Sequence, residues 1–249
     1  MPLRRRDLLQ AGVWRGTGAL ALALVAQGQA AAPALAALPS EERLRVCQPA
    51  GDPLQELLAR NGAFCRAWRA AEASPDPQAR VQALQAAWPQ RCQVRPDALA
   101  TGQRPWAAVL ACADSRVAPE WLFACGPGEL FEVRSAGNTA FDAGVASLEY
   151  AVAELAVPLI LVLGHSGCGA VTAAMARAPL TPLLEELVLP IRASLRPGLD
   201  LAAAVGANAL HSAAELPRRS ALLAEAVTAG RLRIAAAVVE IGSGRVGLV

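Results

Sequence analysis

The sequence predicts an α/β protein: a central, mainly parallel four-stranded sheet with a short fifth strand, helices on both faces and a helical N-terminal segment. Three observations carry this. Strand-like runs recur through the second half of the chain: "WAAVLACA" (106–113), "ELFEVR" (129–134), "LILVLG" (159–164) and "RLRIAAAVVEI" (231–241). Longer stretches with helical spacing of apolar residues separate them. Strands alternating with helices imply a parallel sheet covered on both faces.

The elements follow in order. "DPLQELLARNGAFCRAWRAA" reads as a helix opened by Asp52-Pro53, a good start signal. "SPDPQARVQALQAAWP" repeats the pattern, with Ser74 and Pro75 at its start and Pro89 as a stop. These two helices fill a segment spanning 38–100, ahead of a catalytic core over 101–249. Within the core, "FDAGVASLEYAVAEL" (141–155) is an amphipathic helix between the second and third strands. A helix from about Gly167 to Arg177 follows the third strand. "LTPLLEELVLPIRASL", "DLAAAVGANALHSAAEL" and "SALLAEAVTAG" are further helices, the last closed by Gly230 as a cap. "GSGRVGLV" reads as a turn into the short fifth strand.

Residues 1–37 stand apart. "LRRRDLLQAG" places Arg5-Arg6 before Asp7-Leu8-Leu9, and the Ala-rich "AQGQAAAPALAAL" follows. Paired arginines, a weakly apolar run and small residues suited to cleavage between about Ala30 and Ala37 resemble a twin-arginine export signal. The expected location is therefore periplasmic or otherwise exported. Removing 1–37 leaves 19 basic and 20 acidic residues, a net charge near −1.

The whole chain has 249 residues, 54% of them hydrophobic, and a formal charge of +2. Alanine supplies much of the hydrophobicity. The best late candidate for a membrane span, Val145 to Leu163, is interrupted by Glu149, Glu154 and Pro158, so no stable span is expected in the mature chain. There is no lysine, and no basic stripe carries interleaved aromatics, so nucleic-acid binding is not expected.

The chemistry centres on Gly164-His165-Ser166-Gly167-Cys168-Gly169, a glycine-rich turn from strand to helix. A nucleophile elbow on Ser166, with Asp200 and His211 as partners, is disfavoured because Cys168 stands where G-x-S-x-G requires glycine. His211 also lies in mid-helix. A phosphate loop fails: the glycines fall as G-x-x-G-x-G, and no lysine exists. A metal site fits better. His165-x-x-Cys168 supplies two ligands on one turn, and Cys112, at the end of the first core strand in "ACADSR", comes to the same sheet edge. Two thiolates and one imidazole with an open fourth position are the catalytic type of zinc site. Six cysteines are present; with Cys112 and Cys168 as ligands, Cys47, Cys65, Cys92 and Cys125 remain, and their pairing is left open.

"CADSR" and "GHSGCGA" resemble the C-x-D-S-R and H-x-x-C motifs of the beta-class carbonic anhydrases. The likeness continues through "GPGELFEVRSAGN", "SLEYAV" and the C-terminal "VGANALHSAAELPRRSALLAEAVTAGRLRIAAAVVEIGSGRV", and covers roughly residues 52–249. It implies one Zn2+ per subunit, bound by Cys112, His165 and Cys168, and reversible hydration of CO2 to bicarbonate and a proton by zinc-bound hydroxide. It implies a dyad of Asp114 and Arg116, with Asp114 able to leave Arg116 and become a fourth ligand. It places Gln103, Phe131, Ala136, Tyr150 and Gly169 around the substrate, in a pocket shared across a homodimer or a dimer-based higher oligomer.

Several residues depart from the family pattern. Ala113 stands for the usual Ser, Ala118 where Pro is frequent, and Cys125 where Gln is usual. Val109 replaces the Trp of bicarbonate-inhibited members, although Arg134 is present. Two rival functions remain: hydrolysis of carbonyl sulfide or carbon disulfide on the same fold, and non-catalytic binding of zinc or bicarbonate. His211 is expected to be a solvent-facing helix residue rather than a proton shuttle.

Overall fold

The computed structural model describes residues 48–88, 96–176 and 178–249. The segment expected to be an export signal, its expected cleavage region, Cys47, Cys92 and Pro89 lie outside the described residues. All described residues belong to one compact unit, Leu38–Val249.

Five strands form one sheet: β1 (Ala107–Cys112), β2 (Leu130–Ser135), β3 (Leu159–His165), β4 (Arg233–Val239) and β5 (Val246–Leu248). Their order is β2-β1-β3-β4-β5. The first four are parallel, and β5 turns back antiparallel on β4. β1 and β3 are buried along their whole length, which is why both read as unbroken apolar runs. Parallel strands need crossovers, and the helices that make them cover the faces.

Nine helices are described, numbered along the chain. The N-terminal pair is α1 (Pro53–Ala73) and α2 (Pro77–Gln85); short α3 (Pro96–Leu99) leads into β1 and α4 (Pro119–Leu122) follows it. The remainder are α5 (Asp142–Ala153), α6 (Gly169–Ala176), α7 (Pro182–Ser194), α8 (Leu201–Arg219) and α9 (Ala221–Thr228). One apolar layer joins Leu54, Leu57 and Phe64 of α1 to Val109, Leu161 and Ala237. The opposite layer packs Leu148 of α5, Leu216 of α8 and Leu223 of α9 on Leu110, Ile160 and Val162.

Two predicted helix starts move. α2 begins at Pro77, not near Pro75: Ser74 caps the end of α1, and Asp76 accepts from Gln78 N–H. Asp76-Pro77 thus repeats the Asp52-Pro53 device. α6 begins at Gly169 rather than Gly167, because Gly167 has φ +67, a left-handed conformation no helix residue adopts. Gly230 is left-handed just past α9, as a closing glycine should be.

A buried polar group fastens α1 to the sheet. Arg60 donates to Glu129 Oε1 at 2.8 Å, and its guanidinium lies 5.0 Å over the Trp106 ring. Trp106 Nε1–H donates to the same carboxylate at 3.2 Å, and Gly126 N–H to its other oxygen at 2.7 Å. Cys65 and Cys125 are both buried and are not joined to each other.

Candidate metal centre

Cys112 closes β1 and His165 closes β3. Because β1 and β3 are parallel neighbours, both strand ends reach the same edge. Cys168 lies in the tight turn into α6. The ligand atoms of Cys112, His165 and Cys168 lie within 4.8 Å of one another, and all three residues are buried. One ion with bonds of about 2.0–2.3 Å can bridge such a group.

The histidine is preset for ligation. Its Nδ1 lies 3.0 Å from the Ser166 carbonyl oxygen, which can only accept, so Nδ1 carries the proton. Nε2 is then a bare lone pair, buried, with no hydrogen-bond partner. An orphaned buried acceptor facing two thiols is what a metal ligand leaves behind.

The thiols are strongly coupled. A hydrogen bond from Cys168 draws the Cys112 thiol down to about 4, with further help from His165 and from Gly137 N–H. The same bond, together with burial, pushes Cys168 well up. The pair thus favours one ionised sulfur and one shared proton, which a cation would displace. His165 is pulled two ways: burial disfavours its charged form, but the Cys112 thiolate outweighs this and raises its pKa.

Asp114 lies two residues past β1. Arg116 grips it through both oxygens, Nε to Oδ1 at 2.9 Å and Nη2 to Oδ2 at 2.8 Å. The backbone N–H of Arg116 adds a third bond at 3.0 Å. This grip holds the Asp114 carboxyl far below the ordinary carboxylate range. Its Oδ2 also lies 3.7 Å from His165 Nε2, so the ionised group borders the metal position.

Three supports were not anticipated from sequence. Arg134 of β2 donates to the carbonyls of Cys112, Asp114 and Val117, clamping the whole ligand loop. Gly137 N–H donates to Cys112 Sγ at 3.2 Å. That glycine has φ +84, and an added Cβ would lie 2.6 Å from Ile191 Cδ1, so a side chain there would be strained and crowded. Buried Asn208 of α8 donates to the Gly137 carbonyl at 2.8 Å and fixes the turn. A buried Asn between two apolar helix positions was the available signal. Ser166 Oγ accepts the Ile241 N–H at 3.0 Å, so the hydroxyl ties this turn to the segment after β4.

The expected pocket residues divide. Ala136 follows Ser135, which pairs with Cys112, and Gly169 opens α6, so both lie at the metal edge. Phe131 does not: it pairs with Ala108, four residues back along β2, about 13 Å below that edge. Tyr150 is in the third turn of α5, which runs back down the sheet, and its ring lies 6.3 Å from Phe131. Gln103 precedes β1 and is exposed at the opposite end of the strand. Strand geometry keeps these three away from the metal group of their own chain. His211 is half-buried rather than solvent-facing, in a cleft with Leu189, Ser212 and Glu215.

A parallel α/β sheet carrying a buried Cys2His group with an arginine-held carboxylate defines a zinc-hydratase type of enzyme. The carbonic anhydrase profile matches residues 107–246. A carbonic anhydrase of Mycolicibacterium smegmatis is 36% identical over 191 residues, covering 73% of this chain and 91% of the relative. Carbonic anhydrase 2 of Mycobacterium tuberculosis is 38% identical over 156 residues, 59% of this chain and 75% of the relative. Among solved structures, the Coccomyxa beta-carbonic anhydrase is 30% identical with a TM-score of 0.56, covering 61% of this chain and 75% of its own. A tetrameric beta-carbonic anhydrase of Sordaria macrospora is 25% identical with a TM-score of 0.54, covering 61% and 83%. The chain belongs to the carbonic anhydrase family, and its fold is that of the beta class. That class uses zinc, and the donor set and the orphaned His165 Nε2 fit it.

Proposed function

We propose that the protein hydrates CO2 reversibly to bicarbonate and a proton, with one zinc per subunit held by Cys112, His165 and Cys168. The observation that carries this is the buried, metal-ready group bordered by the Asp114–Arg116 pair. Zinc there would supply a Lewis acid that brings the pKa of water to about 7, making hydroxide available at neutral pH for attack on CO2.

The chain's own residues do the rest. Two thiolates would offset the charge of a divalent ion, and the neutral imidazole would add none, so the ligand group as a whole is close to neutral. Asp114, kept ionised by Arg116, can only accept, so it orients an O–H donor next to His165 Nε2. The N–H of Gly169, at the free start of α6, can donate to an oxygen of the substrate. Ala136 adds an apolar wall at the same edge.

Phe131, Tyr150 and Gln103 complete the pocket from a second copy of the chain. Their distance from the metal group in one chain supports this, as does half-exposed Tyr150 stacked beside Phe131. The assembly is thus a dimer or larger. The protein works outside the cytoplasm, exported through the Arg5-Arg6 signal. Among the described residues no helix is long and apolar enough to cross a membrane.

Hydrolysis of carbonyl sulfide or carbon disulfide is not favoured by any observed feature. Non-catalytic binding is disfavoured by the intact Asp114–Arg116 pair. Stopped-flow CO2 hydration by protein of known zinc content tests the main reading, with Asp114→Ala as control. Zinc-dependent hydration that falls in the variant is expected. Zinc-loaded protein with no hydration above buffer would overturn it, and turnover of carbon disulfide alone would transfer the assignment.

A further inference from the structure

On the far side of the sheet from β2, helix α1 runs beside the edge strand β5. Where α1 meets β5 it presents Leu58, which is partly packed on the core, and the exposed Arg66 and Arg69; β5 contributes Val246 and Leu248 opposite, with Arg245 just before it. Between them lies a groove of about 590 Å3, within the usual range of small-molecule sites. Asn61 closes the seam between the two walls: its Oδ1 accepts Val246 N–H at 2.9 Å and its Nδ2 donates to Gly244 O at 2.9 Å.

The groove gathers three arginines that have no carboxylate partner. Arg60, Arg116, Arg192, Arg218, Arg219, Arg231 and Arg233 each pair with a carboxylate. Arg134 is spent on backbone carbonyls. Among the described residues, Arg80, Arg104 and Arg196 also form no ion pair with a carboxylate, but they line separate clefts, whereas Arg66, Arg69 and Arg245 share this one, and Arg69 donates to the Cys65 carbonyl. Three like charges around one concavity repel one another; Glu240 lies within electrostatic reach of Arg245, and an anion from outside would relieve the remainder. The floor between them is aliphatic, and Leu248 is nearly half exposed. Positive rim and apolar floor together match a ligand with an acidic head and an apolar body.

We propose that the groove between α1 and β5 binds an amphiphilic organic anion, a compact apolar body bearing one carboxylate, sulfonate or phosphate. The site is independent of the metal group, and an anion of this class would be a regulator or passenger rather than substrate.

The probe is 1-anilinonaphthalene-8-sulfonate, titrated by fluorescence into the zinc-loaded full chain. The neutral dye N-phenyl-1-naphthylamine is the control. One saturable sulfonate site per chain is expected, with the neutral dye binding more weakly. Arg66→Ala and Arg245→Ala should each weaken the sulfonate roughly ten-fold, leaving zinc content and CO2 hydration unchanged. Arg231→Ala, whose arginine is already paired to Glu225, should have no effect. Dodecanoate should displace the dye. Equal affinity for both dyes, or sulfonate binding indifferent to Arg66→Ala and Arg245→Ala, would overturn the proposal. Displacement by a Glu/Leu-rich peptide but not by dodecanoate would overturn it in favour of a protein partner.

Discussion

The two ends of this sheet differ in how complete they are. At the C-terminal ends of β1 and β3, a single chain gathers every ligand and braces each one: Gly137 holds Cys112, the Ser166 carbonyl fixes His165, and Arg116 holds Asp114. Toward the other end, Gln103, Phe131 and Tyr150 form a half-built wall with nothing reactive in front of it. The metal-binding end is organised by backbone geometry within the chain. On the proposed assembly the wall would acquire a purpose against another copy. Metal capture and substrate enclosure would then be separable properties, one belonging to the chain and the other to the assembly.

The largest effect should come from mixing two inactive proteins. His165→Ala destroys the metal group but keeps the wall, whereas a Gln103→Ala/Tyr150→Ala double variant keeps the metal group and loses the wall. Unfolded together and refolded with zinc, the pair is expected to recover hydration that neither shows alone, at a level at least ~10-fold above either. No recovery in mixed dimers verified by mass would mean that the wall serves its own chain.

A smaller effect should appear in the acid limb of activity. Arg116 depresses the Asp114 carboxyl, so Asp114 stays ionised until the pH falls far below the usual value for an aspartate. The stability tied to that pair is present above the unfolded pKa and is lost as pH falls through the folded one. In Arg116→Ala the Asp114 pKa should rise, moving the acid limb of kcat/KM toward neutrality by about one pH unit or more. An unmoved limb would show that Asp114 does not titrate with activity.

The smallest effect should be one of retention. Asn208→Leu keeps volume but frees the Gly137 turn, so zinc should leave to a chelator roughly 10-fold faster while the fold melts as one transition. An unchanged release rate would remove Asn208 from the metal's support.

Residues whose chemistry is written in their type were legible in the sequence. Cys112, His165 and Cys168 are ligands by nature, and their spacing on strand ends brings them together. The strands were legible for a related reason: buried parallel strands carry unbroken apolar runs, and all five fall within a few residues of expectation. What escaped was support delivered through the backbone. Arg134 donates to three carbonyls, and every residue has a carbonyl, so no sequence pattern marks the target. The role of Ser166 was not legible because its partner, the Ile241 N–H, lies 75 residues onward. The start of α6 shifted because the left-handed turn at Gly167 depends on tertiary geometry. The placement of Phe131 and Tyr150 away from the metal is a matter of register, which residue type does not encode.

The ligands also have a topological consequence. Cys112 and Cys168 are 56 positions apart, with β2, α5 and β3 between them. An ion joining them ties a loop through the middle of the sheet, as a disulfide would. Closing a loop of that length in the unfolded chain is worth about 4 kcal/mol on the chain-entropy scale. The catalytic ion would double as the staple that keeps β1 and β3 in register.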